Sequence, residues 1–178
     1  MKATLALLIV VASAGCATYS KPKSAVNAFG GIRSVENSDF DDVDDPVVYG
    51  AELLIGLTNQ GLGIEGGYAR AEKEESGFDL ETDELYVGLR NTWNTDSTVQ
   101  PYVGAGATWM DANASESGGF DDDDSSAAAY ARAGVGFQFQ QFQIGVDARA
   151  MIGSDFEIDD EDTDLDYFQL LAFIGFSW

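Results

Sequence analysis

The sequence contains no histidine and one cysteine, and its nine basic residues face 31 acidic ones. Each shortage removes a class of function. Without histidine there is no Ser-His-Asp or Cys-His catalysis and no His-ligated zinc. One cysteine makes no internal disulfide framework. A net charge of -22 repels phosphate backbones, which excludes nucleic acid as a partner. An apolar period of 3.6 residues is also missing, so helices are disfavoured. What is present is apolar: 45% of the 178 residues are hydrophobic and 20 are glycine. That composition does not suit a disordered chain. Charge and apolar content are therefore separated along the sequence.

Residues 1–16 read as a signal peptide. Lys2 gives a positive start, and Leu5 to Ala12 form an apolar run too short to span a bilayer. Two processing routes fit. Ala12-Ser13-Ala14 offers an A-x-A cleavage site, whereas Ser13-Ala14-Gly15-Cys16 has the form of a lipobox with lipidation at Cys16. Residues 17–24 form a short tether, and residues 25–178 the single remaining domain.

Eight segments in that domain alternate apolar and small or polar residues with period two, near 25–35, 47–58, 61–71, 84–94, 99–111, 127–139, 141–153 and 166–178. Tilted membrane strands need about 9–11 residues, close to these lengths. Tight turns at 59–60, 95–97 and 140–141 alternate with long connections at 36–46, 72–83, 112–126 and 154–165. All but four of the 31 acids, Glu52, Glu65, Asp96 and Asp147, fall in or beside the long connections. One end of the molecule is thus strongly negative.

The apolar face of the eight segments carries one charge, Arg70, near a loop end. In the last segment that face holds Phe168, Leu170, Ala172, Ile174, Phe176 and Trp178. A soluble barrel would turn charged residues outward. An uncharged face that runs round the whole sheet suits lipid, where each charge costs about 2–4 kcal/mol at mid-membrane. The fold class expected is all-β, an eight-stranded antiparallel up-and-down transmembrane β-barrel, closed so that no edge meets hydrocarbon. The glycine-rich faces then point inward, where Glu52, Glu65 and Asp147 face Arg33, Arg90, Arg132 and Arg149. A barrel this narrow leaves room only for side chains, so an interior salt-bridge plug is favoured over an open pore. Trp93, Phe139, Phe176 and Trp178 near the short turns, with Tyr49 and Trp109 nearer the loops, suit aromatic girdles.

On the segment YFQLLAFIGFSW, the stretch PYVGAGATW and the two-length connection pattern, the chain resembles the small eight-stranded outer-membrane barrels of Gram-negative bacteria, the OmpA-like and porin-like membrane domain superfamily. The resemblance spans residues 25–178. It implies outer-membrane location, periplasmic termini, long loops outside the cell, and a C-terminal signal at Phe176 and Trp178 read by the barrel assembly machinery. Contact with outer-membrane lipid and lipopolysaccharide follows as an implication, and a monomer suffices. No peptidoglycan-binding domain is expected after Trp178.

Two other motifs yield little. Gly61 to Gly66 matches G-x-G-x-x-G but lacks the strand-then-helix setting of a dinucleotide fingerprint. Asp160, Asp162, Asp164 and Asp166 have calcium-loop spacing, but Leu165 stands where the loop glycine belongs. Dense carboxylates at Asp121, Asp122, Asp123, Asp124, Asp160, Asp162 and Asp164 still favour weakly bound calcium or magnesium. No catalytic residue and no other cofactor is expected. Three functions compete: a non-enzymatic surface protein with acidic extracellular loops, a narrow cation-selective channel, and an exported lipocalin-like binder. The last predicts an apolar cavity under a polar exterior.

Overall fold

A computed structural model describes residues 23–35, 46–75, 78–116, 120–153, 155–158, 161–164 and 167–178. Ten strands follow in chain order: β1 (Ala25–Val35), β2 (Val47–Gly56), β3 (Leu62–Glu75), β4 (Phe78–Thr92), β5 (Val99–Glu116), β6 (Phe120–Phe139), β7 (Phe142–Ile152), β8 (Asp155–Ile158), β9 (Glu161–Asp164) and β10 (Tyr167–Ser177). Eight of them close an antiparallel barrel in the order β1-β10-β7-β6-β5-β4-β3-β2. The pair β8-β9 is a separate two-stranded sheet in the last long connection. No helix occurs among the described residues.

Closure joins the first strand to the last. β1 and β10 pair from Ala25↔Ser177 to Val35↔Tyr167. Beyond the ladder, Ser24 N donates to the Trp178 carbonyl at 3.0 Å and Trp178 N to the Ser24 carbonyl at 2.9 Å. The three tight turns stand where the sequence places them. Each contains left-handed backbone: Gly61 has φ +93°, Asn94 φ +56° and Gln140 φ +57°. Only the glycine adopts that region without steric cost.

The alternation resolves as expected. Outward-pointing Leu85 is 60% exposed, Val87 59%, Ile174 59% and Phe142 63%. The inward residues next to them, Glu84, Tyr86 and Phe173, are buried. An apolar exterior around an ionic interior is the reverse of a lipocalin, and the exported-binder reading fails on it.

Three expectations need correction. The second and third long connections are largely strand: β3 and β4 pair as far as Glu75↔Phe78, and β5 and β6 as far as Glu116↔Phe120. β4 and β5 pair along the same extension, to Phe78↔Glu116. A ladder needs only backbone partners, so it continues where apolar alternation, the sequence signal, has stopped. The fourth connection, 154–165, holds the β8-β9 hairpin. Glu84, grouped with the acidic loop by proximity, lies inside the barrel.

Candidate functional site: the ionic barrel interior

The inward residues form two stacked ionic layers. Nearest the long connections, Glu84 is fully buried. One carboxylate oxygen pairs with Arg33 Nη2 at 3.0 Å and accepts from the Tyr167 hydroxyl at 2.8 Å. The other pairs with Arg149 Nη2 at 2.5 Å and accepts from the Thr108 hydroxyl at 3.1 Å. Arg33 also donates to Thr82 Oγ1 at 2.9 Å and lies 4.1 Å from the Tyr167 ring centre. The Gln169 amide oxygen, turned towards Arg33, accepts from its Nε at 3.0 Å.

The second layer lies nearer the short turns. Arg90 donates through Nε to Glu65 at 2.6 Å and through Nη2 to Glu52 at 2.5 Å. Arg132 pairs with Glu52, with Glu65 at 3.4 Å and with Asp147 at 2.6 Å. Asn27 adds a donor to Glu52 at 3.0 Å. Between the layers the Arg149 guanidinium lies 4.2 Å from the Tyr86 ring centre and 4.4 Å from that of Tyr130. The upper layer holds two guanidiniums and one carboxylate, the lower two and three. Together the four buried arginines and four buried acids cancel.

Each of these four acids also accepts from a tyrosine. Tyr86 donates to Glu52 at 3.2 Å, Tyr130 to Glu65 at 2.7 Å, Tyr102 to Asp147 at 2.6 Å and Tyr167 to Glu84 at 2.8 Å. A buried charge is tolerated when its remaining lone pairs are bound, and the hydroxyls supply part of that. Tyr102 and Arg132 both bind Asp147 Oδ2, so its Oδ1 has no hydrogen-bond partner among the described residues.

Glycine makes room for the rings. Tyr86 stands in register with Gly67, Tyr102 with Gly134, Tyr130 with Gly106, Phe173 with Gly145 and Phe29 with Gly50. A Cβ on Gly67 would lie 2.6 Å from Tyr86 Cζ, and one on Gly134 2.5 Å from Tyr102 Cζ. Gly63 and Gly66, part of the G-x-G-x-x-G match, lie within β3 with no helix after them.

All seven charges expected inside, Arg33, Glu52, Glu65, Arg90, Arg132, Asp147 and Arg149, are there. Sequence reasoning missed Glu84 and the tyrosine donors. The parity of β4 was enough to find Glu84, which shares a face with Tyr86 and Arg90. Outside, Arg70 stands above the apolar band, paired with Glu72 at 2.6 Å and Glu81 at 2.6 Å. The Tyr49 hydroxyl donates to Glu72 at 2.7 Å. That hydrogen bond, with the Arg70 guanidinium, holds the Glu72 carboxyl below its usual range. At the other rim Phe142 and Phe176 meet edge to face at 5.9 Å, and Phe176 stacks on Trp178 at 6.4 Å.

The acids singled out for metal fall in two stretches of the chain, 121–124 and 160–164. Asp121 to Asp124 are consecutive residues of β6, in register with Ser115, Ala114, Asn113 and Ala112 of β5. Asp162 and Asp164 lie on β9, in register with Glu157 and Asp155. Asp160 and Cys16 lie outside the described residues. Among those described, no group of three or more potential metal ligands converges.

Residues 3–176 match the family described as outer membrane protein beta-barrel domain. The chain belongs to that family. It is an outer-membrane, transmembrane β-barrel. No curated protein matches the sequence. Among solved structures, Ail, the attachment invasion locus protein of Yersinia pestis, in complex with the heparin analogue sucrose octasulfate, is 16% identical over 89% of this barrel chain and 100% of its own, with a TM-score of 0.65. The N-terminal β-barrel domain of Pseudomonas aeruginosa OprF is 15% identical over 89% of this chain and 98% of its own, TM-score 0.63. Neisserial surface protein A is 14% identical over 86% and 95%, TM-score 0.63. At these identities the likeness shows the fold of the barrel.

Proposed function

We propose that this protein is a non-enzymatic, non-conducting barrel whose role is to present an acidic sheet outside the cell. The observation that carries the reading is the division of charge. The lumen is filled by a neutral network, while most of the acids gather at one end, on and around the extensions of β3 to β6. The long connections then lie outside the cell and the termini in the periplasm. Carboxylates at that density attract divalent cations, which can bridge them to anionic lipopolysaccharide. Ail is in complex with a sulfated heparin analogue; the loops here have the wrong sign for such a ligand and favour cations or basic surfaces instead.

Calcium titrated calorimetrically into the full chain in detergent micelles tests this. Saturable heat at low ionic strength, weakened by sodium chloride and by changing Asp121 to Asp124 to asparagine, supports the reading. Absence of saturable heat removes its cation component. Planar-bilayer recording tests the lumen: a reproducible cation-selective step overturns the non-conducting barrel in favour of a narrow channel.

A further inference from the structure

The interior network is not closed at the short-turn end. Below the second ionic layer a cavity opens, and Arg90 reaches its wall. Arg90 is 3% exposed and spends Nε and Nη2 on Glu65 and Glu52. Nη1 is not spent on either glutamate, and the guanidinium lies 4.3 Å from the ring centre of Tyr102, which lines the same cavity. Lys23 lines it too and reaches across the mouth to the Thr95 carbonyl in the β4–β5 turn. That single bond leaves two ammonium donors. Gln138, Gln143 and Ser177 supply further polar atoms.

No carboxylate lines this cavity, in a chain with 31 acids. The two glutamates that neutralise Arg90 are absent from the wall. A guanidinium edge whose Nη1 is not spent on the glutamates shares this partly desolvated mouth with an ammonium, a pairing that suits the acceptor geometry of a carboxylate or phosphate oxygen pair. We infer that the short-turn mouth is a binding site for a small oxyanion, held between Arg90 Nη1 and Lys23 Nζ. The inference does not depend on the acidic sheet, which lies at the opposite end of the barrel.

The test uses the full chain in detergent micelles, followed by the arginine side-chain nitrogen resonances. Sodium acetate and inorganic phosphate are titrated separately, with ionic strength held constant by sodium chloride. The expected result is a saturable displacement of the Arg90 signals. Lys23→Met removes one charge-assisted bond and weakens binding about tenfold. Thr92→Asp places a carboxylate in the cavity wall and abolishes saturation. Saturation by acetate alone assigns a carboxylate ligand, by phosphate alone a phosphate, and by both a general oxyanion site. Failure of both to saturate, or saturation undiminished in either variant, overturns the proposal. Both substitutions lie at the rim and leave the ionic layers intact, so the heat-dependent electrophoretic shift of a folded barrel serves as the control.

Discussion

At Glu84 one carboxylate ties together Arg33 of β1, Thr108 of β5, Arg149 of β7 and Tyr167 of β10. Glu84→Gln leaves two guanidiniums without their anion, and removing one partner of a buried pair costs about 3–5 kcal/mol. Glu81→Gln breaks only an exposed pair with Arg70, worth less than about 1 kcal/mol. Urea unfolding of both variants in the same micelles should rank them in that order by a wide margin. Gly67→Ala drives a methyl against the Tyr86 ring and the Ala51 carbonyl, and overpacking of that kind costs about 1–3 kcal/mol. Unfolding of this variant, with Tyr86→Leu as a second change that relieves part of the clash, checks the assignment. The inward position of Glu52, Arg90 or Asp147 was legible from parity alone. Their partners were not. Arg132 finds Glu52 from 80 residues away and Tyr167 finds Glu84 from 83, distances set by the barrel's registers and diameter rather than by any local pattern.

Among the strands, β3 to β6 stand taller than the rest, and their extensions set like charges against one another. Glu72 faces Glu81, and Asp83 faces Asp111. Like charges directly opposite destabilise a sheet, and salt screens exposed charges beyond about 10 Å at 0.1 M. Amide exchange across residues 72–83 should therefore slow as sodium chloride rises, while exchange in the apolar band stays constant. Equal behaviour in both regions would mean that repulsion does not govern the extension. The Tyr49–Glu72–Arg70 cluster has its own pH signature. The Glu72 carboxyl titrates below its ordinary value, so its contribution is present above the unfolded pKa and is lost as pH falls through the lowered one. Carboxyl resonances should place the Glu72 midpoint below that of an unpaired glutamate. The sequence revealed these strands only inside the membrane because only lipid enforces alternation. Above the band, acids can occupy both faces of a ladder, and the same backbone pairing leaves no periodic trace.

For the whole molecule the decisive arrangement is the cancellation of four arginines by four acids, with partners drawn from strands on different sides of the barrel. A sheet that lacks β10 strips Glu84 of Tyr167 and leaves β1 and β7 without their shared neighbour. One that lacks β2 strips Arg90 and Arg132 of Glu52. Every incomplete cylinder would thus carry bare ions and open edges into hydrocarbon, at a cost of several kcal/mol for each group. Insertion and curling must advance together: the bilayer accepts the finished stave ring or the unfolded chain, and nothing half-built between them.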